Sequence, residues 1–173
     1  MKNKQNASVA KLVLCSQMAA ITVLLQISIG LLPGPGHILS AFGTLPVAIA
    51  AFIAPGPGIM CVLVSSWLTF ILLPAELPIF VLCIAPLGLF IGLGLHYSLK
   101  PLFVVLVCTF ILAAGMLSIT FGFGMPAFGP FLVGERYSVL FVCYLGFSFI
   151  YSSAWYSFTC RVLTRLRRKG LPA

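Results

Sequence analysis

Apolar residues fall in six long runs, separated by short segments that are rich in proline, glycine or charge. The runs cover residues 12–32, 38–54, 58–73, 77–95, 101–121 and 138–160. A bilayer core of about 30 Å needs about 20 apolar residues per helix, so each run is predicted to cross a membrane. The pattern predicts an all-α, polytopic membrane protein in which residues 1–173 form a single domain, a bundle of six transmembrane helices.

The boundary between the second and third runs is the segment Pro55-Gly56-Pro57-Gly58. Prolines and glycines in this density break a helix, and a reversal of the chain here gives six spans with both termini on one side. A kink without reversal would leave five spans. The two basic ends of the chain would then lie on opposite sides, against the positive-inside rule.

The distribution of the ten basic residues favours six spans with both termini in the cytoplasm. Three precede the first run and five follow the last, and Lys100 also falls on the cytoplasmic side in this topology. Only Arg136 then lies outside. The net charge of +8 is therefore interpreted as topology and contact with lipid head groups, and not as nucleic-acid binding.

Composition excludes a water-soluble enzyme. Hydrophobic residues make up 61% of the chain and charged residues only 7%, against about 25% charged in soluble domains. The two acids, Glu76 and Glu135, are far apart in sequence, no catalytic motif occurs, and His37 and His96 fall on opposite membrane faces. We therefore expect no catalytic residue, no metal site, no cofactor and no ATPase activity of the chain's own.

The remaining ionisable residues that belong to the outer side are candidate ligand contacts, because burying such groups near a membrane core is unfavourable. They are His37, Glu76, Glu135 and Arg136. Alternatives stay open for each. Glu76 precedes Pro78 at the start of a helix and could simply complement the helix dipole, and Glu135-Arg136 could be a solvated pair in a loop.

The last run carries aromatic and hydroxyl side chains on one helical face, since they recur at intervals of three, four and seven residues. They are Tyr137, Phe141, Tyr144, Ser148, Tyr151 and Trp155. Such a stripe suits a cavity in which rings stack and hydroxyls find partners, with ordinary packing between helices as the alternative. Tyr144, Ser148 and Tyr151, together with Trp67 at a comparable depth, are the predicted substrate contacts of this set.

Two outer segments are predicted to close this cavity. Residues 33–37 form a turn-rich strap of prolines and glycines, and residues 122–137 form a long and mostly apolar loop. An apolar loop of this length is expected to fold back over the bundle. The floor of the predicted pocket is Tyr144, Ser148 and Tyr151, with Glu76 at its rim.

The first run contains small residues near its cytoplasmic end. Ser16, Ala19 and Ala20 share a region of the helix in which another helix can approach closely. The approaching helix belongs either to the same bundle or to a separate subunit.

The layout and the run from Leu32 to Cys61 resemble a known family. The run contains the Leu32–His37 turn, the Leu45-Pro46 step and the Gly56-Pro57 turn. In these features the chain is similar to the substrate-binding S components of energy-coupling factor (ECF) vitamin ABC transporters. The resemblance covers most of the chain in layout, but the small residues of the first span depart from the family's Ala-x-x-x-Ala spacing.

The resemblance implies a function and partners. An S component binds a vitamin or related micronutrient at its outer side and topples against a coupling transmembrane subunit that two cytoplasmic ATPases drive. It implies a prokaryotic cell membrane, a pocket near the outer loops and spans four to six, and coupling contact through Ser16, Ala19 and Ala20. Few charged groups belong to the predicted pocket, so we expect a neutral or aromatic, ring-containing ligand in preference to a polyanion.

Two other classes of protein stay open from sequence. A stand-alone six-helix carrier or channel for a small solute would need no ATPase partner. A structural or assembly protein of the membrane would have no ligand, and its aromatic stripe would serve packing alone.

Overall fold

A computed structural model describes residues 2–32, 34–124 and 137–168, and this part of the chain is helical with short turns and no strand. Six helical spans within it are long and apolar enough to cross a membrane: Val9–Leu31, Pro35–Ile53, Pro55–Leu72, Pro74–His96, Pro101–Gly122 and Val139–Leu166. The protein is an all-α, multi-pass membrane protein with a bundle of six helices. The prediction from the hydrophobic pattern is confirmed.

Two of the six spans are irregular. Four spans are single helices: α1 (Lys2–Leu31), α4 (Pro55–Leu72), α7 (Pro101–Gly122) and α8 (Tyr137–Arg168). The second span is divided into α2 (Pro35–Ala41) and α3 (Thr44–Ile53). The fourth begins with a 3₁₀ turn (Pro74–Glu76) and α5 (Leu77–Ile79), continues as a π-helical turn (Phe80–Ile84) and ends as α6 (Ala85–His96).

Prolines mark where several helices begin. Pro35, Pro55 and Pro101 open α2, α4 and α7, positions at which the missing N–H leaves no helical hydrogen bond unmade. The chain does reverse between the second and third spans, at Ala54, whose backbone is extended (φ −163°, ψ 148°). The predicted strap over residues 33–37 is wrong beyond Gly34, because Pro35 starts a helix there.

Glycines let the central helices approach closely. A Cβ on Gly88 would lie 2.6 Å from the carbonyl oxygen of Thr44, and one on Gly92 would lie 2.4 Å from that of Ala48. Both separations are shorter than any side chain tolerates. Helices α3 and α6 therefore pack backbone to backbone, and the fold depends on glycine at these two positions.

The outer surface of the bundle is apolar. Leu24, Ile38, Trp67, Phe110 and Ile150 are among the large side chains exposed on it. Exposed apolar surface on this scale is unfavourable in water, whereas in a bilayer the same side chains contact lipid tails.

Candidate functional site

A cavity of about 390 Å³ opens between the helices at one end of the bundle. It lies where α1 and α7 end and where α2 and the fourth span begin. Its lining is mostly apolar and comes from five of the spans: Ile29, His37, Ser40, Ala41, Glu76, Ile79, Cys83, Ile84, Leu87, Leu112, Met116, Ile119, Phe147 and Tyr151. Pockets for small ligands have volumes of roughly 300–1,000 Å³, so the cavity is at the small end of that range.

The cavity coincides with the irregular parts of the second and fourth spans. Ser40 and Ala41 line it from the end of α2, immediately before the interruption at Phe42 and Gly43. Cys83 and Ile84 line it from the π-helical turn. A π turn adds a residue to the helical repeat and is found often at functional sites, and here the two interruptions border the same space.

Glu76 brings a carboxylate to this cavity. It ends the 3₁₀ turn and immediately precedes α5, yet its side chain makes no capping hydrogen bond to that helix. Its Oε2 atom is buried and has no hydrogen-bond partner in the described chain. The alternative in which Glu76 complements the helix dipole needs no such hydrogen bond and stays open beside contact with a ligand.

His37 lies at the mouth of the cavity, in the first turn of α2. The Ser40 hydroxyl donates a hydrogen bond to the carbonyl oxygen of His37 at 3.0 Å. Ser28 of α1 donates to the carbonyl oxygen of Gly36 at 3.1 Å, which joins α2 to α1. The exposed imidazole is thus carried on a well-anchored turn beside the cavity.

The aromatic face of α8 divides into a residue that lines the cavity and others that do not. Tyr151 lines it and stacks on Phe147, with ring centroids 5.6 Å apart and planes at 25°. Tyr144 is buried, and its hydroxyl shares a 2.7 Å hydrogen bond with that of Thr120 on α7. Ser148 is also buried, 3.8 Å from the sulfur of Met116.

The predicted floor of Tyr144, Ser148 and Tyr151 is therefore only partly in place. Tyr144 and Ser148 hold α8 against α7, behind Met116, whose side chain faces the cavity in their stead. The physical reason is that α7 packs closely against α8 along this face. The two hydroxyls predicted to contact a ligand therefore find their partners on α7.

Trp67 does not line the cavity. Its side chain is 65% exposed on the outside of α4, next to Phe70 at a ring-centroid distance of 6.1 Å. The prediction for Trp67 rests on its depth in the membrane. Depth does not determine which face of a helix points into the bundle. The structure turns this face of α4 towards lipid.

The three small residues of α1 differ in their exposure. Ala19 is only 1% exposed, and the Ser65 hydroxyl of α4 donates to its carbonyl oxygen at 3.4 Å. Ala19 is thus covered by the chain's own fourth helix and is not available to a separate subunit. Ser16 and Ala20 stay exposed.

Part of the predicted site lies outside the described residues. This holds for residues 125–136, which include Glu135 and Arg136, and for the side chain of Tyr137. The structure therefore leaves the predicted contribution of these residues to the pocket as a prediction.

Gln26 is a buried polar residue to which the sequence analysis assigns no role. It is 0% exposed, and neither atom of its amide has a hydrogen-bond partner in the described chain. A Cβ on Gly43 would lie 3.8 Å from its Oε1 atom and 3.8 Å from Ile84. Gln26 therefore lies between the two interruptions, behind the cavity wall. A single amide in an apolar run was the available signal.

The chemistry of the cavity is that of binding. One carboxylate, one imidazole and a few hydroxyls stand in an apolar wall, an arrangement that orients a ligand through few polar contacts. Within the described residues no three His, Cys, Asp or Glu side chains come together in a way that could hold a metal ion.

The chain was compared with models of known protein families, with curated proteins and with solved structures, and none of the three comparisons gives a match. The functional argument therefore rests on the cavity and on the residues around it.

Proposed function

We propose that the protein is a high-affinity, membrane-embedded binding subunit for uptake of a vitamin or related micronutrient. In this proposal it works as an S component, with an ECF coupling subunit and two cytoplasmic ATPases, in the cell membrane of a prokaryote. The observation that carries the proposal is the 390 Å³ cavity at one end of a six-span bundle, whose described lining is mostly apolar with one carboxylate.

The shape of the interior favours binding over free passage. Below the cavity, Ala48, Ile91, Cys108 and Trp155 are packed in one hydrophobic cluster with Leu87, which also lines the cavity. A ligand held above this cluster would have to pass these packed side chains to move further along the bundle. Movement of the whole subunit by a partner, as in the ECF family, provides a route that needs no such path.

The proposed orientation places the cavity outside and both termini in the cytoplasm, because the basic residues concentrate at the ends of the chain. Single cysteines at Asn6 and Ala173, in a background without the six native cysteines, test this with a membrane-impermeant thiol reagent. Both sites should react only after the cytoplasmic face is opened. Labelling from opposite sides would contradict the six-span topology.

The coupling contact is proposed for the exposed part of the small-residue face of α1, Ser16 and Ala20. Bulk at such a face prevents close helix approach. Ala20→Trp should therefore abolish energised uptake and leave ligand binding to the isolated protein intact. Val142→Trp, at a residue 67% exposed on α8, is the matched control and should change neither. Loss of binding in Ala20→Trp would indicate misfolding and remove the support for coupling.

Native mass spectrometry of the purified protein is the direct test of ligand binding. We expect a small molecule to co-purify with the wild type and to be lost in Ala41→Leu, in which a larger side chain enters the cavity from α2. Equal occupancy of both proteins would place the ligand elsewhere. No bound molecule in either protein would count against the binding function.

One observation favours the stand-alone carrier as second candidate. Ala19, part of the small-residue face predicted for coupling, packs against the chain's own α4. Reconstitution of the chain alone into liposomes separates the two functions. Uptake of the co-purified molecule without any ATPase would establish the carrier, whereas binding without uptake supports the S component.

A further inference from the structure

We propose that the cavity takes an organic cation, a positively charged nitrogen group on a flat apolar body, and that the Glu76 carboxylate recognises the charge. The inference rests on the proposed binding function and narrows its ligand class.

Among the described residues, no lysine or arginine accompanies Glu76 in the cavity. The described basic side chains belong to the opposite end of the bundle, at Lys11, at Lys100 before α7 and at Arg161, Arg165 and Arg168 near the end of α8. Lys100 is about 28 Å along the helix axis from Ile119 in the cavity wall, at about 1.5 Å per residue.

The carboxylate is also incompletely hydrogen-bonded. Its Oε2 atom is shielded from solvent and has no partner in the described chain. A shielded carboxylate oxygen without a hydrogen bond is unfavourable, and a neutral donor would satisfy the hydrogen bond but leave the negative charge uncompensated. A positively charged N–H group supplies both, because charge-assisted hydrogen bonds are the stronger kind and attraction between charges grows as water is excluded.

The rest of the wall specifies the body of the ligand. Beyond Glu76 the lining is mainly aliphatic, and the stacked pair of Phe147 and Tyr151 presents aromatic surface from α8. Flat rings stack favourably on such side chains, and aromatic faces also attract cations. An anionic ligand would meet the Glu76 charge with no described cation to offset it.

A metal ion fits this environment poorly. Calcium takes six to eight oxygen ligands and magnesium about six, whereas the described lining offers one carboxylate. Transition metals would find one carboxylate and one imidazole, Glu76 and His37, and no third His, Cys, Asp or Glu gathers with them in the described chain. The unmet charge therefore points to an organic cation.

Two matched trios of ring compounds test the inference: tryptamine, tryptophol and indole-3-acetate, and phenethylamine, phenethyl alcohol and phenylacetate. Each trio keeps its ring and changes only the charge of the side group. Affinities are measured for the full chain in lipid nanodiscs by calorimetric titration. We expect the amines to bind at least tenfold more tightly than the alcohols, and the carboxylates to bind most weakly.

Variants then assign the preference to Glu76. Glu76→Gln should reduce the amine to the affinity of the alcohol, with little change for the alcohol itself. Glu76→Asp keeps the charge and should keep the preference, and it covers the case in which the glutamine variant fails to fold. Ser118→Ala, at an exposed residue of α7 that does not line the cavity, is the control and should keep the preference as well.

Distinct results overturn the inference and the function. If alcohols or carboxylates bind as tightly as amines, or if Glu76→Gln keeps the preference, the inference is wrong while ligand binding stands. Competition by nickel or magnesium chloride that Glu76→Gln abolishes would assign a metal site and also overturn it. If no compound binds and native mass spectrometry finds no bound molecule, the inference and the proposed function fail together.

Discussion

The two ends of the bundle are built from the same six spans but pack in different ways. At the cavity end, α2 is separated from α3 and the fourth span passes through a π-helical turn. At the other end α3 and α6 are regular, and glycines bring their backbones together. His96 at the end of α6 donates a 2.7 Å hydrogen bond from Nδ1 to the Phe52 carbonyl oxygen of α3.

The difference shows how a bundle of membrane helices can keep a cavity open. In lipid the hydrophobic effect does not press helices together, so close packing of small residues provides much of the attraction. The glycine contacts hold the bundle at one end, and the other end can then tolerate interruptions, an unfilled space and polar groups without partners. The predictions below disturb each end in turn.

The largest effect is expected at the packed end. In Gly92→Leu the new Cβ would meet the Ala48 carbonyl oxygen at 2.4 Å and the Ala51 Cβ at 2.6 Å, which forces α3 and α6 apart. Overpacking typically costs about 1–3 kcal/mol and occasionally more, and because this clash is with backbone atoms, the variant should not give a monodisperse protein on size-exclusion chromatography.

The matched control is Gly146→Leu in α8. A Cβ there meets nothing within 4 Å, and leucine favours a helix over glycine by roughly 0.5–1 kcal/mol. This variant should fold as well as the wild type. Similar behaviour of the two leucine variants would show that the packed end does not hold the bundle.

The second prediction concerns the Gln26 amide at the cavity end, which has no hydrogen-bond partner among the described residues. Gln26→Met removes two buried polar groups and keeps a similar volume. Since an unsatisfied buried group costs about 1–3 kcal/mol, thermal unfolding in nanodiscs should move to higher temperature. A lower unfolding temperature would indicate that the amide has a partner in the folded protein.

The third prediction tests whether the space is a binding site. Ala41→Leu places three more carbons at a residue that lines the cavity, whereas Ala48→Leu makes the same change where the packed α3 meets Gly92. Ala41→Leu should fold and bind ligand at least tenfold more weakly, a loss of about 1.4 kcal/mol. Ala48→Leu should lose the fold. If Ala41→Leu unfolded at a lower temperature than Ala48→Leu, the assignment of the packed end and the cavity end would be wrong.

The smallest effect is expected behind the cavity wall. Tyr144→Phe removes the 2.7 Å hydrogen bond to Thr120, and Thr120 keeps its bond to the Met116 carbonyl oxygen. Stability should fall by about 0.5–1.5 kcal/mol with no change in ligand affinity. Tyr151→Ala, at the cavity itself, should weaken binding at least several-fold. Weaker binding in Tyr144→Phe would instead indicate that Tyr144 contacts the ligand.

The sequence analysis identifies some of the residues that line the cavity and misses others. His37, Glu76 and Tyr151 were selected from charge, position and helical spacing, and all three line the cavity. Tyr144 and Ser148 share the same face of α8, but whether a hydroxyl meets a ligand or a neighbouring helix depends on the distance to α7. Met116 and Cys83, both in the lining, carry no pattern that distinguishes them from other apolar residues of a span.

The sequence by itself determined the membrane environment, the six spans and the reversal near Pro55, because hydropathy and proline act over a few neighbouring residues. Only the tertiary structure decided where spans two and four are interrupted. It also decided that Trp67 faces outwards from α4 and that Ala19 is buried within the bundle. Those outcomes depend on how helices distant in sequence approach one another. Gly88 and Gly92 set that approach through contacts with residues about 44 positions away in the chain, at Thr44 and Ala48, a separation over which no local pattern carries information.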